Sequence, residues 1–223
     1  MLGYKELIRK YKINNLVETE HIIEKQRMIK DQEEISSLEK ACEITDNCFQ
    51  YILTYIKPGM TERQIADEIE EYYKKRTEGL SFETIVASGE NTSKPHAVPT
   101  DRKIQENDII TIDMGCKVNG YCSDMTRTVF YKEVSPKQKA VYELVLKAQK
   151  AAEAMIKPGV RLCDIDKCAR DIIAEGGYTV EFNHRLGHFI GRDVHEWGDV
   201  SQNYDIEVQE GMTFSIEPGV YLQ

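Results

Sequence analysis

The sequence predicts an α+β fold made of two related halves, and three observations carry that prediction. The helix-stop segments IKPGM and IKPGV place Pro58 and Pro158 100 residues apart. Each stop follows a long apolar-periodic run and precedes a shorter one, so the order of elements recurs along with the punctuation. ENDIITID, Glu106 to Asp113, aligns with EGMTFSIE, Glu210 to Glu217, each ending in isoleucine and then a carboxylate. Order, offset and matching strand together imply a duplication whose halves face one another.

The elements follow in chain order. Asp31 and Glu34 form a capping-box pattern ahead of Ile35, Leu38, Cys42, Thr45, Phe49, Ile52 and Ile56, so a long amphipathic helix runs to Lys57-Pro58-Gly59. Thr61 with Gln64 opens a shorter helix through Ile65, Ile69 and Tyr72, ending near Gly79. Strands are expected at Phe82 to Ser88 and at Asp108 to Tyr131, the second folded at Asn119-Gly120. The plan then repeats: Ser135-Pro136 with Gln138 begins a helix through Val141, Leu144, Ala148, Ala152 and Met155, which stops at Lys157-Pro158-Gly159. A short helix at about Cys163 to Glu175 ends at Gly176-Gly177, and strand-like segments complete the chain.

Composition narrows the function classes. A 223-residue chain with 41% hydrophobic and 30% charged residues is an ordinary globular sequence, long enough to bury a substantial core. Its formal charge of −9 argues against nucleic acid or an anionic membrane as partner, because both leave a basic footprint. No window approaches a membrane span and MLGYKELIRKYKINNL has no secretory apolar core, so a cytoplasmic location is expected. The six cysteines show no CxxC spacing and read as reduced thiols.

Chemistry enters through TIDMGCKVNGYCSDMTRT. Asp113 and Asp124 lie in strand-like segments, where aspartate is disfavoured, so something must stabilise them there. With Asn119-Gly120 as a type I′ turn, opposed residues sum to 239: Asp124 faces Gly115 and Asp113 faces Thr126. The two aspartates are then diagonal neighbours on one face, roughly 7–8 Å apart at Cα. Two like charges in a shielded site require that one be protonated or that a cation sit between them. The repeat puts Glu217 at the position matching Asp113, so a third carboxylate converges, and a metal becomes the economical explanation. HRLGHFIGRDVHEW adds His184, His188 and His195; one imidazole beside three carboxylates suits Mn²⁺, Co²⁺ or Zn²⁺.

At these residues the sequence resembles the pita-bread metallopeptidases, which include methionine aminopeptidases, Xaa-Pro aminopeptidases and prolidases. The resemblance covers roughly residues 31 to 223 and rests on GLSFETIVASG, KPHAVPTDRKI, TIDMGCKVNGYCSDMTRT, HRLGHFIGRDVHE and SIEPGVY. It implies two pseudo-symmetric halves with helices outside a curved, mostly antiparallel sheet. It also implies two divalent ions, Mn²⁺ favoured, held by Asp113, Asp124, His188 and Glu217, with Asp124 bridging. His96 and His195 match residues that contact the substrate's scissile amide and its carbonyl, and Glu217 is the implied proton shuttle. His184 matches a histidine of Xaa-Pro-type members, which tilts the resemblance to the proline-directed branch. The implied substrates are small peptides with proline at the second position, cleaved by a water that the two ions activate.

Two departures from that pattern stand out. Arg192 replaces an aliphatic residue in HFIGRDVHE; it either snorkels to solvent, finds Asp193 or Asp199, or lines a substrate rim that recognises a peptide carboxylate. The family's last bridging glutamate should lie beyond Gln223, so 31–223 is expected to be a C-terminally incomplete metallopeptidase domain. Residues 1–30 are expected to be the remnant of an N-terminal domain plus a linker helix. On this expectation the site formed by Asp124, His188 and Glu217 is the tighter one, and an open sheet edge invites a homo-oligomer. The alternatives are a non-catalytic peptide- or protein-binding module on the same scaffold, or a methionine aminopeptidase.

Overall fold

Apolar spacing and caps build the outer layer first. The computed structural model describes residues 4–12 and 19–222; the expected N-terminal remnant falls partly on residues 1–3 and 13–18, outside the described residues. In chain order the elements are α1 (Tyr4–Tyr11), α2 (Ile22–Met28), α3 (Gln32–Tyr55), α4 (Glu62–Lys74), β1 (Ile85–Ser88), β2 (Ile109–Met114), β3 (Lys117–Val118), β4 (Tyr121–Cys122), β5 (Met125–Phe130), α5 (Pro136–Met155), α6 (Leu162–Glu175), β6 (Gly187–His188) and β7 (Asp199–Val200). Capping boxes at Asp31, Thr61 and Ser135 start α3, α4 and α5 where the sequence places them. Among the described residues no helix is long and apolar enough to cross a membrane.

In the first half β1, β2 and β5 form an antiparallel sheet with β2 central. Asn119 and Gly120 adopt left-handed φ values of 51° and 76°, as the type I′ turn requires. The register follows from that turn: Val118 pairs with Tyr121, Lys117 with Cys122 and Asp113 with Thr126, each summing to 239. Burial alternates along β2. Ile110, Ile112 and Met114 are fully buried against Ile52, Ile65, Ile69 and Tyr73 of α3 and α4. Strand periodicity therefore turns Asp113 to the opposite face, away from this core. β1 is shorter than expected, because Ser81 donates instead to Gly115 O and Leu80 pairs with Cys116, leaving residues 82–84 outside the ladder.

The second half repeats the helices more faithfully than the sheet. α5 and α6 contribute Ala148, Ala152, Leu162, Ile165, Ala169 and Ile173 to a separate core that closes on Phe182, Leu186 and Phe189. EGMTFSIE forms no regular strand matching β2. Its backbone runs antiparallel to 186–190 through Glu217 N to Leu186 O (2.8 Å), Ser215 N to His188 O (2.9 Å) and Ile190 N to Thr213 O (3.2 Å). Among the described residues, 213–217 are paired on that side alone, whereas β2 is paired on both. Gly187 is needed for this approach: a Cβ there would lie 1.9 Å from Ser215 O.

Candidate active site

The two non-core faces bring the expected carboxylates together. Asp113 and Asp124 come from the β2 and β5 side of the first half, and His188 and Glu217 from the paired segments of the second. His188 Nε2 lies 3.2 Å from Asp124 Oδ2 and 3.2 Å from Glu217 Oε1. The His188 ring is buried, and its Nδ1 is 3.2 Å from Phe189 O. A carbonyl only accepts, so Nδ1 carries a proton and Nε2 is the ring nitrogen turned towards Asp124 and Glu217. Ser215 braces the site from behind, accepting from His188 N at 3.0 Å and donating to Glu217 Oε1 at 3.0 Å.

The electrostatics record a shortage of positive charge. Burial, and then the Asp124 and Glu217 charges, push Asp113 up to about 7. Burial works to depress His188, but its hydrogen bonds to Asp124 and Glu217 win and carry it up to about 9. Burial likewise works to raise Glu217, and the His188 hydrogen bond outweighs it to bring Glu217 down. Three carboxylates around one imidazole thus favour the protonated forms of Asp113 and His188 when no cation lies among them. Asp113 Oδ1 and His184 Nε2 are buried with no hydrogen-bond partner among the described residues. Carboxylate oxygens with one imidazole suit a borderline divalent ion, and the partnerless Asp113 oxygen is what an absent ion would leave. Among the described residues, however, no three such groups surround a common point as a finished cage. Here Nε2 hydrogen-bonds both carboxylates, so an ion entering this site displaces that proton.

The remaining expected residues ring this centre unevenly. His195 keeps part of its surface exposed and meets the His188 ring edge-on, with centroids 4.2 Å apart; the desolvation of its inner side, and then the His188 charge, lower its pKa. His184 packs edge-on to Phe182 and Tyr221, its Nδ1 2.7 Å from Arg185 O; burial lowers it too. His96 is exposed on the loop after β1. Arg192 finds neither acid the sequence offers it, since Asp193 pairs with Arg27 and Asp199 with Arg185. Its guanidinium stands 5.6 Å from the centre of the Tyr121 ring, across the boundary between the halves.

Sequence reasoning missed the residues that hold these loops. Glu62 is fully buried and accepts from Ser88 N (2.7 Å) and from Thr100 N (3.0 Å) and Oγ1 (2.6 Å), pinning both ends of the loop that carries His96. Asp166, also fully buried, is paired by Arg170 (2.9 and 2.8 Å) and accepts from Leu186 N at 3.2 Å. Arg170 in turn donates to Phe182 O and His184 O. An acid in a helix's first turns is commonplace on a surface, so nothing in the sequence marks either one as buried.

The metallopeptidase family M24 model matches residues 36–223. The chain is 42% identical over 219 residues to the Xaa-Pro dipeptidase of Pyrococcus horikoshii, covering 98% of this chain and 62% of that protein. It superposes on the crystal structure of the prolidase from Pyrococcus horikoshii with TM-score 0.91 at 41% identity, covering 99% of this chain and 65% of that one. For the X-Pro aminopeptidase from Thermotoga maritima the TM-score is 0.91 at 36% identity, covering 98% and 62%. The chain thus spans less than two thirds of the length of these relatives. The α+β architecture expected from the repeat is the pita-bread architecture of these prolidases and aminopeptidases. With the family model covering most of its length and its carboxylates and histidine converging between two pseudo-symmetric halves, the chain belongs to metallopeptidase family M24.

Proposed function

We propose that the protein is a metal-dependent exopeptidase that removes the residue preceding proline from Xaa-Pro peptides or dipeptides. One observation carries the reading: His188 Nε2 sits between Asp124 and Glu217, beside a half-buried Asp113 whose buried Oδ1 has no partner among the described residues. Asp113, Asp124, His188 and Glu217 would hold two divalent ions, Mn²⁺ favoured, with the Asp124, His188 and Glu217 position the tighter. When bound, such ions supply Lewis acidity and make hydroxide available at neutral pH. Glu217 would move the proton. Ser215 fixes Glu217 Oε1, so the shuttle keeps one orientation. His195 stands on the His188 side, where it can donate to the oxygen of the carbonyl under attack. His96 and His184 would bind the remainder of the peptide, and His96 could donate to the departing imide nitrogen. Arg192, over Tyr121 at the boundary between the halves, would form a rim for a peptide carboxylate. All six cysteines are free thiols, in keeping with a reducing, cytoplasmic setting.

The test is to load the purified chain with Mn²⁺, dialyse, and count ions per chain, with Asp124→Ala as control. The expected result is two ions, the second lost first on dialysis and both lost in the control. Hydrolysis of an Xaa-Pro dipeptide should fall by at least about 10³-fold in Asp124→Ala, ~4 kcal/mol of transition-state stabilisation. One bound ion or none in the wild type would overturn the reading and leave a disabled portion of such an enzyme or a peptide-binding module. Release of methionine from a peptide without proline, with Xaa-Pro untouched, would move the activity to the methionine branch.

A further inference from the structure

The loop that carries His195 is fastened from outside either catalytic half. Glu196, its side chain only 4% exposed, lies between two cations from the segment before α3. Lys30 Nζ, 1% exposed, is 3.0 Å from Glu196 Oε2, while Arg27 reaches Oε1 through Nη2 at 2.5 Å and Nε at 3.1 Å. Oε1 also accepts from Arg192 N at 2.9 Å, so the carboxylate closes its own loop as well as tying it to the segment. Gly191 makes the room: a Cβ there would stand 2.6 Å from Oε1. The next residue is clamped too, with His21 stacked on Trp197 at 4.8 Å and Lys30 N donating to Gly211 O close by.

The His195 ring makes no hydrogen bond among the described residues; its neighbours decide where it stands. Glu196 N donates to Phe189 O at 2.9 Å, one residue from His188, and the Glu196 side chain fixes the other end of that short lever. We propose that Glu196 is a positioning residue for His195, and that Lys30 and Arg27 make residues 21–30 a strap that sets where the imidazole stands over the His188 side of the site. The proposal rests on the peptidase reading for the use of His195, and on geometry alone for the strap. A buried ion pair whose members come from distant parts of the chain is a poor source of net stability and an effective way of fixing one arrangement.

The experiment combines hydrogen exchange with kinetics for Lys30→Met, Glu196→Gln and the double variant. The singles should speed exchange of the Arg192 and Glu196 amides by about 10-fold or more while α4 and α6 stay as protected as in the wild type. In the Mn²⁺-loaded protein kcat should fall roughly 10- to 100-fold with KM little changed, because a misplaced group costs rate before it costs binding. The double variant, which leaves neither Lys30 nor Glu196 as a buried charge without the other, should match either single rather than add to it. Unchanged exchange across 191–197 would overturn the strap, as would acceleration spread evenly over both cores. A loosened loop with unchanged kcat would overturn the positioning role. Should the loaded wild type fail to hydrolyse Xaa-Pro peptides, that failure belongs to the peptidase reading and the exchange pattern alone decides the strap.

Discussion

The two halves share a backbone plan and anchor their histidine loops with different chemistry. In the first half Glu62 is held by neutral donors: Ser88, Asn91 and Thr100 surround both oxygens, and Arg102 stays one step away, on Ser88 Oγ and Asp108. In the second half Asp166, one turn further along the equivalent helix, takes a two-pronged Arg170, and Arg170 carries the bonding on to Phe182 O and His184 O. At the repeat offset Leu162 stands opposite Glu62 and Ala66 opposite Asp166, so neither anchor is inherited from the other. Duplication fixes where a loop must be tied. It leaves open which charge ties it.

The sharpest break of this comparison is to remove each carboxylate. Asp166→Ala leaves the Arg170 cation unpaired and Leu186 N without its acceptor, which should cost roughly 3–4 kcal/mol, the lower part of the range for a broken buried pair because Arg170 keeps some hydration. Glu62→Ala leaves dipoles rather than a charge, and exposed Thr100 can turn to water, so roughly 2 kcal/mol is expected, chiefly from buried Ser88. Urea midpoints of the two variants decide it. The opposite ranking would mean that charge on the partner is not what separates the halves.

Acid sharpens the same contrast. Burial works to raise Glu62, but hydrogen bonds from Thr100, Ser88 and Asn91 outweigh it and bring Glu62 below its ordinary value of 4.5. The unfolded chain therefore takes up this proton first on acidification. The stabilisation is present in full above about pH 4.5 and is lost as pH falls through the lower folded value. Wild type and Glu62→Gln should differ most in urea midpoint near neutrality and converge below that point. Parallel curves from pH 3 to 6 would show that Glu62 does not titrate with folding.

How legible the molecule was follows the range of the forces involved. Caps and turns are contacts between residues three or four apart, so Asp31, Thr61, Ser135 and Asn119-Gly120 announced three helices and the hairpin register directly. Once the register was known, Asp113 and Asp124 had to share a face, and the repeat pointed Glu217 at them. EGMTFSIE kept the strand pattern but not the ladder, because a strand is completed by its neighbours and residues 213–217 are paired on one side among those described. Glu62, Asp166, Arg170 and Glu196 were invisible for a different reason. Glu62 and Glu196 are held by partners that sequence distance hides, Glu196 meeting Lys30 at a separation of 166 residues, whereas Asp166 and Arg170 are four apart and look like an ordinary surface pair until the fold buries them.

The smallest effect lies at the starts of the two short helices, where the halves place different residues at the cap. Thr61 accepts from Gln64 N, and Gln64 answers by accepting from Thr61 N, so α4 has a closed capping box. Arg161, at the same place before α6, gives its helix no side-chain cap and instead pairs with Asp164 and Asp205 at the surface. Thr61→Ala should therefore lose about 1 kcal/mol, a cap's ordinary worth. Arg161→Ala removes only solvent-exposed ion pairs and should leave the urea midpoint where it was. If Arg161→Ala instead destabilises as much as Thr61→Ala, the start of α6 is held through Arg161's pairs with Asp164 and Asp205. The second half would then cap its short helix, as it anchors its loop, with an arginine in place of neutral hydrogen bonds.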